Sequence, residues 1–193
     1  MRKLIAAINM TLDGYCDHTA VDPDEEIHRY YAGLLDEAGL LLYGRTTYQL
    51  MQYWQTLLSN PSGEPSMDAF ARAIDRVPKL VFSRTLKETG WASATLATAP
   101  LTETVQSLRQ QPGKNLYVGS PGLIVQLTGA DLIDEYQICL HPVLAGGGLP
   151  LFRDLGGHRN LTLVRTRTFG SGAVLLVYQP GQPLTDSGKN TEP

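Results

Sequence analysis

Leu40-Leu41-Leu42-Tyr43-Gly44-Arg45-Thr46-Thr47-Tyr48 changes its period partway along. Residues 40–43 form an unbroken apolar run between Gly39 and Gly44, the pattern of a strand covered on both faces. Residues 44–47 then turn into a helix that carries Tyr48, Met51 and Trp54. A buried strand feeding directly into a helix is the unit of a parallel α/β sheet. The pattern recurs at Leu116-Tyr117-Val118, which enters Gly119-Ser120-Pro121-Gly122 and a helix with Leu123, Ile124 and Leu127.

Working outward, residues 3–10 read as a buried first strand, with Thr11-Leu12-Asp13-Gly14 as its turn. Asp22-Pro23-Asp24-Glu25 predicts a helix start, with Asp22 as cap, Pro23 at the first helical position and Glu25 completing a capping box. Ile27, Tyr30, Tyr31, Leu34 and Leu35 follow at helical spacing. Residues 59–65 are a loop by composition, residues 66–74 a short helix and residues 79–83 a strand. A helix over 101–110 is stopped by Pro112-Gly113, and a strand over 135–140 leads into a Gly/Pro-rich loop over 141–157. Strands over 161–167 and 173–179 are joined by a short connection, as in a hairpin. The order predicts a three-layer α/β domain over residues 1–180, its mixed, mostly parallel sheet ending in an antiparallel C-terminal hairpin. Residues 181–193 are polar and predicted to be a disordered tail.

The chain has 193 residues, 42% hydrophobic and 18% charged, a balance that supports one packed core. Its net charge is -3 and no basic run occurs, which argues against a nucleic-acid partner. No apolar stretch approaches a membrane span, and the run after Arg2-Lys3 is broken by Asn9 too early for a signal peptide. Two cysteines, Cys16 and Cys139, make neither a disulfide framework nor a metal motif, so no metal is expected. These features fit a cytoplasmic protein.

The two strand-to-helix junctions are the candidate chemistry. Ligands of open α/β sheets sit beyond the carboxyl ends of strands, where helix N-termini present free N–H groups to anions. Gly44 lets backbone approach a ligand, Thr46 and Thr47 offer hydroxyls and N–H groups, and Arg45 carries a planar fork of donors suited to a terminal phosphate. Gly119-Ser120-Pro121-Gly122 can cradle a pyrophosphate. The fingerprint G-x-G-x-x-G is absent from both junctions, so neither is an ordinary Rossmann turn. Each junction also has a plain reading as a capped helix start or a turn; two in one sheet favour a dinucleotide.

With these residues on the page, the chain resembles the dihydrofolate-reductase-like superfamily. The branch is the one similar to the C-terminal reductase domain of the bifunctional riboflavin-biosynthesis deaminase-reductase. The resemblance rests on Asn9-Met10-Thr11-Leu12-Asp13-Gly14, Gly44-Arg45-Thr46-Thr47-Tyr48 and Val118-Gly119-Ser120-Pro121-Gly122. It extends through Leu132-Ile133-Asp134-Glu135, His141-Pro142-Val143 and Gly146-Gly147-Gly148-Leu149-Pro150-Leu151-Phe152 to Ser171–Tyr178. It implies a sheet of eight or nine strands, an NADPH cofactor and a homodimer. It places Arg45 at the adenosine 2′-phosphate, Thr46 and Thr47 at the phosphates, and Ser83 and Arg84 on the adenosine side. Gly119, Ser120, Pro121, Gly122 and Leu123 fall on the pyrophosphate loop, and Asp13 and Gly14 beside the nicotinamide.

Dihydrofolate reductases proper carry a carboxylic acid on their first helix. Here His28 stands near that position, while Asp24, Glu25 and Glu26 crowd the helix start and serve its cap and dipole. No Lys/Arg cluster marks a ribose-phosphate site, and the deaminase half is absent. The expectation is an NADPH-dependent reductase acting on a small heterocyclic or carbonyl substrate. The alternatives are an NADPH sensor without turnover or a small-ligand-binding protein. Asp13 and His28 are the catalytic candidates, and Asn9 and His141 can join them in the acceptor pocket. His141 otherwise reads as structural or solvent-facing, and Tyr30 and Tyr31 as core or dimer surface.

Overall fold

The computed structural model describes residues 1–181. Its thirteen elements are β1 (Leu4–Thr11), α1 (Glu25–Asp36), β2 (Ala38–Gly44), α2 (Arg45–Ser59), α3 (Pro65–Arg76), β3 (Lys79–Phe82), β4 (Ala94–Leu96), α4 (Leu101–Gln110), β5 (Asn115–Val118), α5 (Pro121–Gly129), β6 (Glu135–His141), β7 (Leu161–Thr168) and β8 (Val174–Pro180). The predicted tail, beyond Gly181, lies outside the described residues.

Eight strands form one sheet in the order β4-β3-β2-β5-β1-β6-β8-β7. Neighbours from β4 to β6 are parallel, whereas β8 is antiparallel to both β6 and β7. This is the mixed, mostly parallel sheet with an antiparallel C-terminal hairpin that the sequence predicts. Alternation within β1 shows why the central strands are apolar throughout. Leu4, Ala6 and Ile8 pack with Leu101, Val105, Leu123, Ile124 and Leu127 of α4 and α5. Ile5 packs on the opposite face with Leu35, Tyr48 and Ile74 of α1, α2 and α3. Both faces are covered, so a period-2 pattern would leave polar groups buried. At the far edge, every residue of β7 is exposed.

Several boundaries differ from the sequence reading. Asp24, not Asp22, caps α1: its Oδ1 accepts from Ile27 N–H at 2.8 Å, and Pro23 lies outside the helix. Two carboxylates compete for one cap, and the helix begins at Glu25, which leaves Asp24 adjacent to the free N–H groups. Glu25 instead pairs with Arg29. The three-residue β4 is invisible in sequence because Ala94-Thr95-Leu96 is too short to show a period. It exists because it completes a parallel pairing with β3.

Lys79 begins β3 and is buried. Its Nζ donates to the Ile74 and Val77 carbonyls and to Ser93 Oγ at 2.5, 2.8 and 2.8 Å, and lies 4.0 Å from the Trp91 ring centroid. The ammonium thus satisfies carbonyls at the end of α3. Burial still lowers its pKa to about 8.

Candidate functional site

The carboxyl ends of β1, β2 and β5 open into a cavity of about 620 Å³, within the range of small-molecule and cofactor pockets. Both predicted junctions lie on it, and they are adjacent. The backbone N–H of Gly44 donates to Ser120 Oγ at 2.9 Å, joining the start of α2 to the start of α5. Neither helix has a side-chain cap bond at its N-terminus. At α2 the first-turn N–H groups are available to an anion. At α5, where Pro121 has no N–H and Leu123 donates to the Ser120 carbonyl at 3.0 Å, the Gly122 N–H is the one left to offer, and the positive ends of both dipoles face the same rim. At Gly119 a Cβ would lie 3.3 Å from the Ala7 carbonyl oxygen, so only glycine lets β5 leave the sheet here without pushing β1 aside.

Gly44, Arg45, Thr46, Thr47, Gly119, Ser120, Pro121, Gly122 and Leu123 all line the cavity. Arg45 is exposed at its mouth, where its guanidinium donates to Thr85 Oγ1 at 2.8 Å. Ser83 and Arg84 are not in the lining. Ser83 Oγ accepts from the N–H groups of Thr85 and Leu86, which makes it the organiser of the turn that carries Arg45's partner.

Asp13 and Gly14 also stand outside the lining. The Asp13 carboxylate accepts from Thr11 Oγ1 at 2.6 Å and from the N–H groups of Ala145 and Gly146 at 3.1 and 2.7 Å. The Thr11 hydroxyl first, then these N–H donors, hold its pKa below the usual carboxylate value. Asp13 is a clasp between the β1 turn and the 141–157 loop. Gly14 has φ +92, which explains the glycine there.

A second part of the cavity is aromatic. His28 and Tyr31, one helical turn apart on α1, face it together with Met51 and Trp54 of α2 and Phe70 of α3. The His28 ring meets Trp54 edge-on at 5.7 Å and Phe70 at 6.3 Å, and Trp54 meets Phe70 at 4.5 Å. Burial lowers the His28 pKa, outweighing the opposing charges of Asp24 and Asp22, and so favours the neutral ring.

Between the two parts stands Asn9, near the end of β1. Its Oδ1 accepts from the Tyr31 hydroxyl at 3.1 Å and lies 3.2 Å from His141 Nε2. His141 is only 3% exposed, so it is not solvent-facing, and burial lowers its pKa. Tyr31 is neither plain core nor outer surface, because its hydroxyl reaches β1 and its ring lines the cavity. Tyr30 turns elsewhere, donating to Gln137 Oε1 at 2.9 Å. The sequence does not mark Trp54 and Phe70 as a shared wall, since helical spacing alone reads them as core. Their one signal is a cluster of large aromatics on consecutive helices.

The carboxylates at the start of α1 are occupied. Besides capping Ile27, Asp24 accepts from Ser171 N–H at 2.9 Å, while Glu26 accepts from Gly170 N–H at 3.0 Å and Arg167 at 2.6 Å. None of them reaches the cavity lining. Among the described residues, no group of three or more His, Cys, Asp or Glu side chains can hold a metal ion, and no helix is long and apolar enough to cross a membrane.

Comparison with known proteins agrees with this fold. The model of the RibD C-terminal domain family matches residues 2–175. The Bacillus subtilis (strain 168) protein YyaP is 32% identical over 185 residues, covering 92% of this chain and 94% of that protein. A putative riboflavin biosynthesis protein from Shewanella sp. PV-4 superposes with a TM-score of 0.69 at 23% identity, over 93% of this chain and 99% of that one. A pyrimidine reductase-like protein from Corynebacterium diphtheriae gives 0.63 at 14% identity, over 94% and 93%.

Proposed function

Because the chain belongs to the RibD C-terminal domain family, we propose that it is an NADPH-dependent reductase that passes hydride to a small acceptor seated beneath α1. The observation that carries this reading is the pair of uncapped helix N-termini meeting at the Gly44–Ser120 hydrogen bond, on the rim of a cavity of about 620 Å³. The family is NADPH-dependent in general. The donor set fits a phosphorylated dinucleotide: the first-turn N–H groups of α2, the Gly122 N–H of α5, the hydroxyls of Thr46 and Thr47, and an exposed arginine fork at the mouth.

In this reading Arg45 holds the 2′-phosphate, and Thr46, Thr47 and residues 119–123 hold the pyrophosphate. When bound, the cofactor supplies the hydride, which requires no protein nucleophile. The chain's own task is to hold the acceptor close and exclude water. Neutral His28, Tyr31, Trp54 and Phe70 do so by forming an apolar wall opposite the junctions. Ser83 acts at one remove, by shaping the turn that Arg45 contacts. Asp13 fixes the 141–157 loop rather than taking part in proton transfer. We assign pairing of two copies to the outer edge of the sheet, where β7 is exposed along its length.

Titrating the protein with NADPH and NADH tests the cofactor. Tighter binding of NADPH is expected, and equally weak binding of both removes the reading. NADPH consumption with any of a panel of small heterocycles and quinones separates a reductase from a sensor. Sedimentation at micromolar concentration tests the dimer.

A further inference from the structure

The acceptor end of the cavity has its own chemistry, distinct from the phosphate end. Its walls are aromatic and its base is the side chain of Asn9. The Asn9 carboxamide oxygen accepts from the Tyr31 hydroxyl at 3.1 Å and lies 3.2 Å from His141 Nε2, which is a second donor to it when the ring carries its proton on Nε2. Two donors converging on one oxygen fix the orientation of the amide. The other end of that amide, Nδ2, has no hydrogen-bond partner among the described residues, although Asn9 lines the cavity. An amide held by its oxygen presents two N–H donors to whatever lies above it.

The charges sort themselves as well. Among the described residues lining the cavity, Arg45 is the Lys or Arg cation, in the phosphate half; Asp17 and the exposed His18 also line it, and the Asp17 carboxylate accepts from the Thr19 N–H and hydroxyl at 2.8 and 2.7 Å. The acceptor half holds a histidine whose burial favours the neutral ring, and the carboxylates at the start of α1 are turned to the β7–β8 connection. An anionic substituent placed between His28, Trp54 and Phe70 would lose its hydration with no partner to replace it.

We propose that this subsite, which takes the acceptor of the reductase reading above, is built for an uncharged flat heteroaromatic ring that accepts a hydrogen bond from Asn9 Nδ2. The ring lies against His28, Trp54 and Phe70. Tyr31 and His141 are positioning residues that act through Asn9. The subsite selects against carboxylated or phosphorylated acceptors.

The test uses two probes, quinoxaline, a neutral fused bicycle with ring-nitrogen acceptors, and quinoxaline-2-carboxylate. Binding is followed by quenching of Trp54 emission, with Trp54→Phe identifying the reporter. Quinoxaline is expected to bind about tenfold or more tighter than its carboxylate, the cost of an unpaired charge in this wall. Asn9→Asp keeps the oxygen that Tyr31 and His141 contact and removes the donor. It should weaken quinoxaline by roughly 3–12-fold, the net worth of one hydrogen bond. Carboxylate binding as tight as quinoxaline, Asn9→Asp with undiminished quinoxaline affinity, or no saturable quenching by either compound overturns the proposal. The preference between the two probes is measured on the parent protein, so it stands even if Asn9→Asp fails to fold. Quinoxaline quenching in a protein that binds no NADPH supports the subsite and overturns the cofactor reading instead.

Discussion

The N-terminus of α1 and those of α2 and α5 are the same backbone feature put to opposite uses. At α1 the chain closes the helix end on itself: Asp24 accepts from Ile27 and Ser171, and Glu26 from Gly170 and Arg167. At α2 and α5 no side chain caps the end, and the two ends share only the Gly44–Ser120 bond. The difference teaches that a helix start marks a ligand site when the protein leaves it unsatisfied, and marks architecture when carboxylates fill it. Negative charge at α1 and none at the two open ends is the local arrangement an anionic cofactor requires.

The comparison can be broken from either side. The largest effect is expected from Arg45→Ala, which removes the cation beside the open ends. It should weaken NADPH by about 1.5–3 kcal/mol and leave NADH nearly unchanged, as read by parallel titrations. An equal loss for both cofactors would make Arg45 structural. Asp24→Ala opens the closed end, and should cost about 1 kcal/mol in chemical denaturation, the worth of an N-cap, with little change in NADPH affinity. Ser120→Ala cuts the link between the open ends. A loss of about 0.5–1.5 kcal/mol in stability is expected, together with weaker NADPH binding because the two junctions are no longer held in register.

The smallest effect is a pH dependence. The Arg167 bond first, then the Gly170 N–H, hold the Glu26 carboxyl below its usual pKa. Burial pushes Asp24 up, but bonds from Ile27 and Ser171 outweigh it and hold it low as well. A carboxyl whose folded pKa is depressed contributes stability above its unfolded value, and that contribution is lost as pH falls through the folded value. The melting-temperature gap between the parent protein and Glu26→Gln should therefore be open at pH 7 and shrink as pH falls below about 4. A gap constant with pH would mean that Glu26 acts by packing alone.

Much of the fold is legible in the sequence because the central strands are buried on both faces and read as unbroken apolar runs. Residues 40–43 and 116–118 could hardly be anything else, and Leu101–Gln110 forms the predicted helix. What escaped was local competition. Asp22 and Asp24 are equally good caps by type, and only three-dimensional packing against Ser171 decides between them. At the site, the half proposed to hold phosphates is written in contiguous residues, Gly44–Thr47 and Gly119–Leu123. The acceptor half is assembled from side chains on β1, α1, α2, α3 and β6, and no local pattern joins Asn9, Tyr31 and His141. The clasp made by Asp13 is hidden for a related reason: its turn chemistry is visible, but its partners, Ala145 and Gly146, lie far along the chain.

The bond from Ser171 to Asp24 spans 147 positions of sequence. During synthesis α1 emerges early, yet the hairpin that latches its first turn leaves the ribosome almost last. Until then α1 is held over Asn9 by its packing on α3 and by the bonds of Tyr31 to Asn9 and Tyr30 to Gln137, without the latch on its first turn. The aromatic part of the cavity is therefore among the final features of the molecule to be completed, and a chain stopped short of β8 would carry both strand-to-helix junctions beside a first helix whose start is not yet latched.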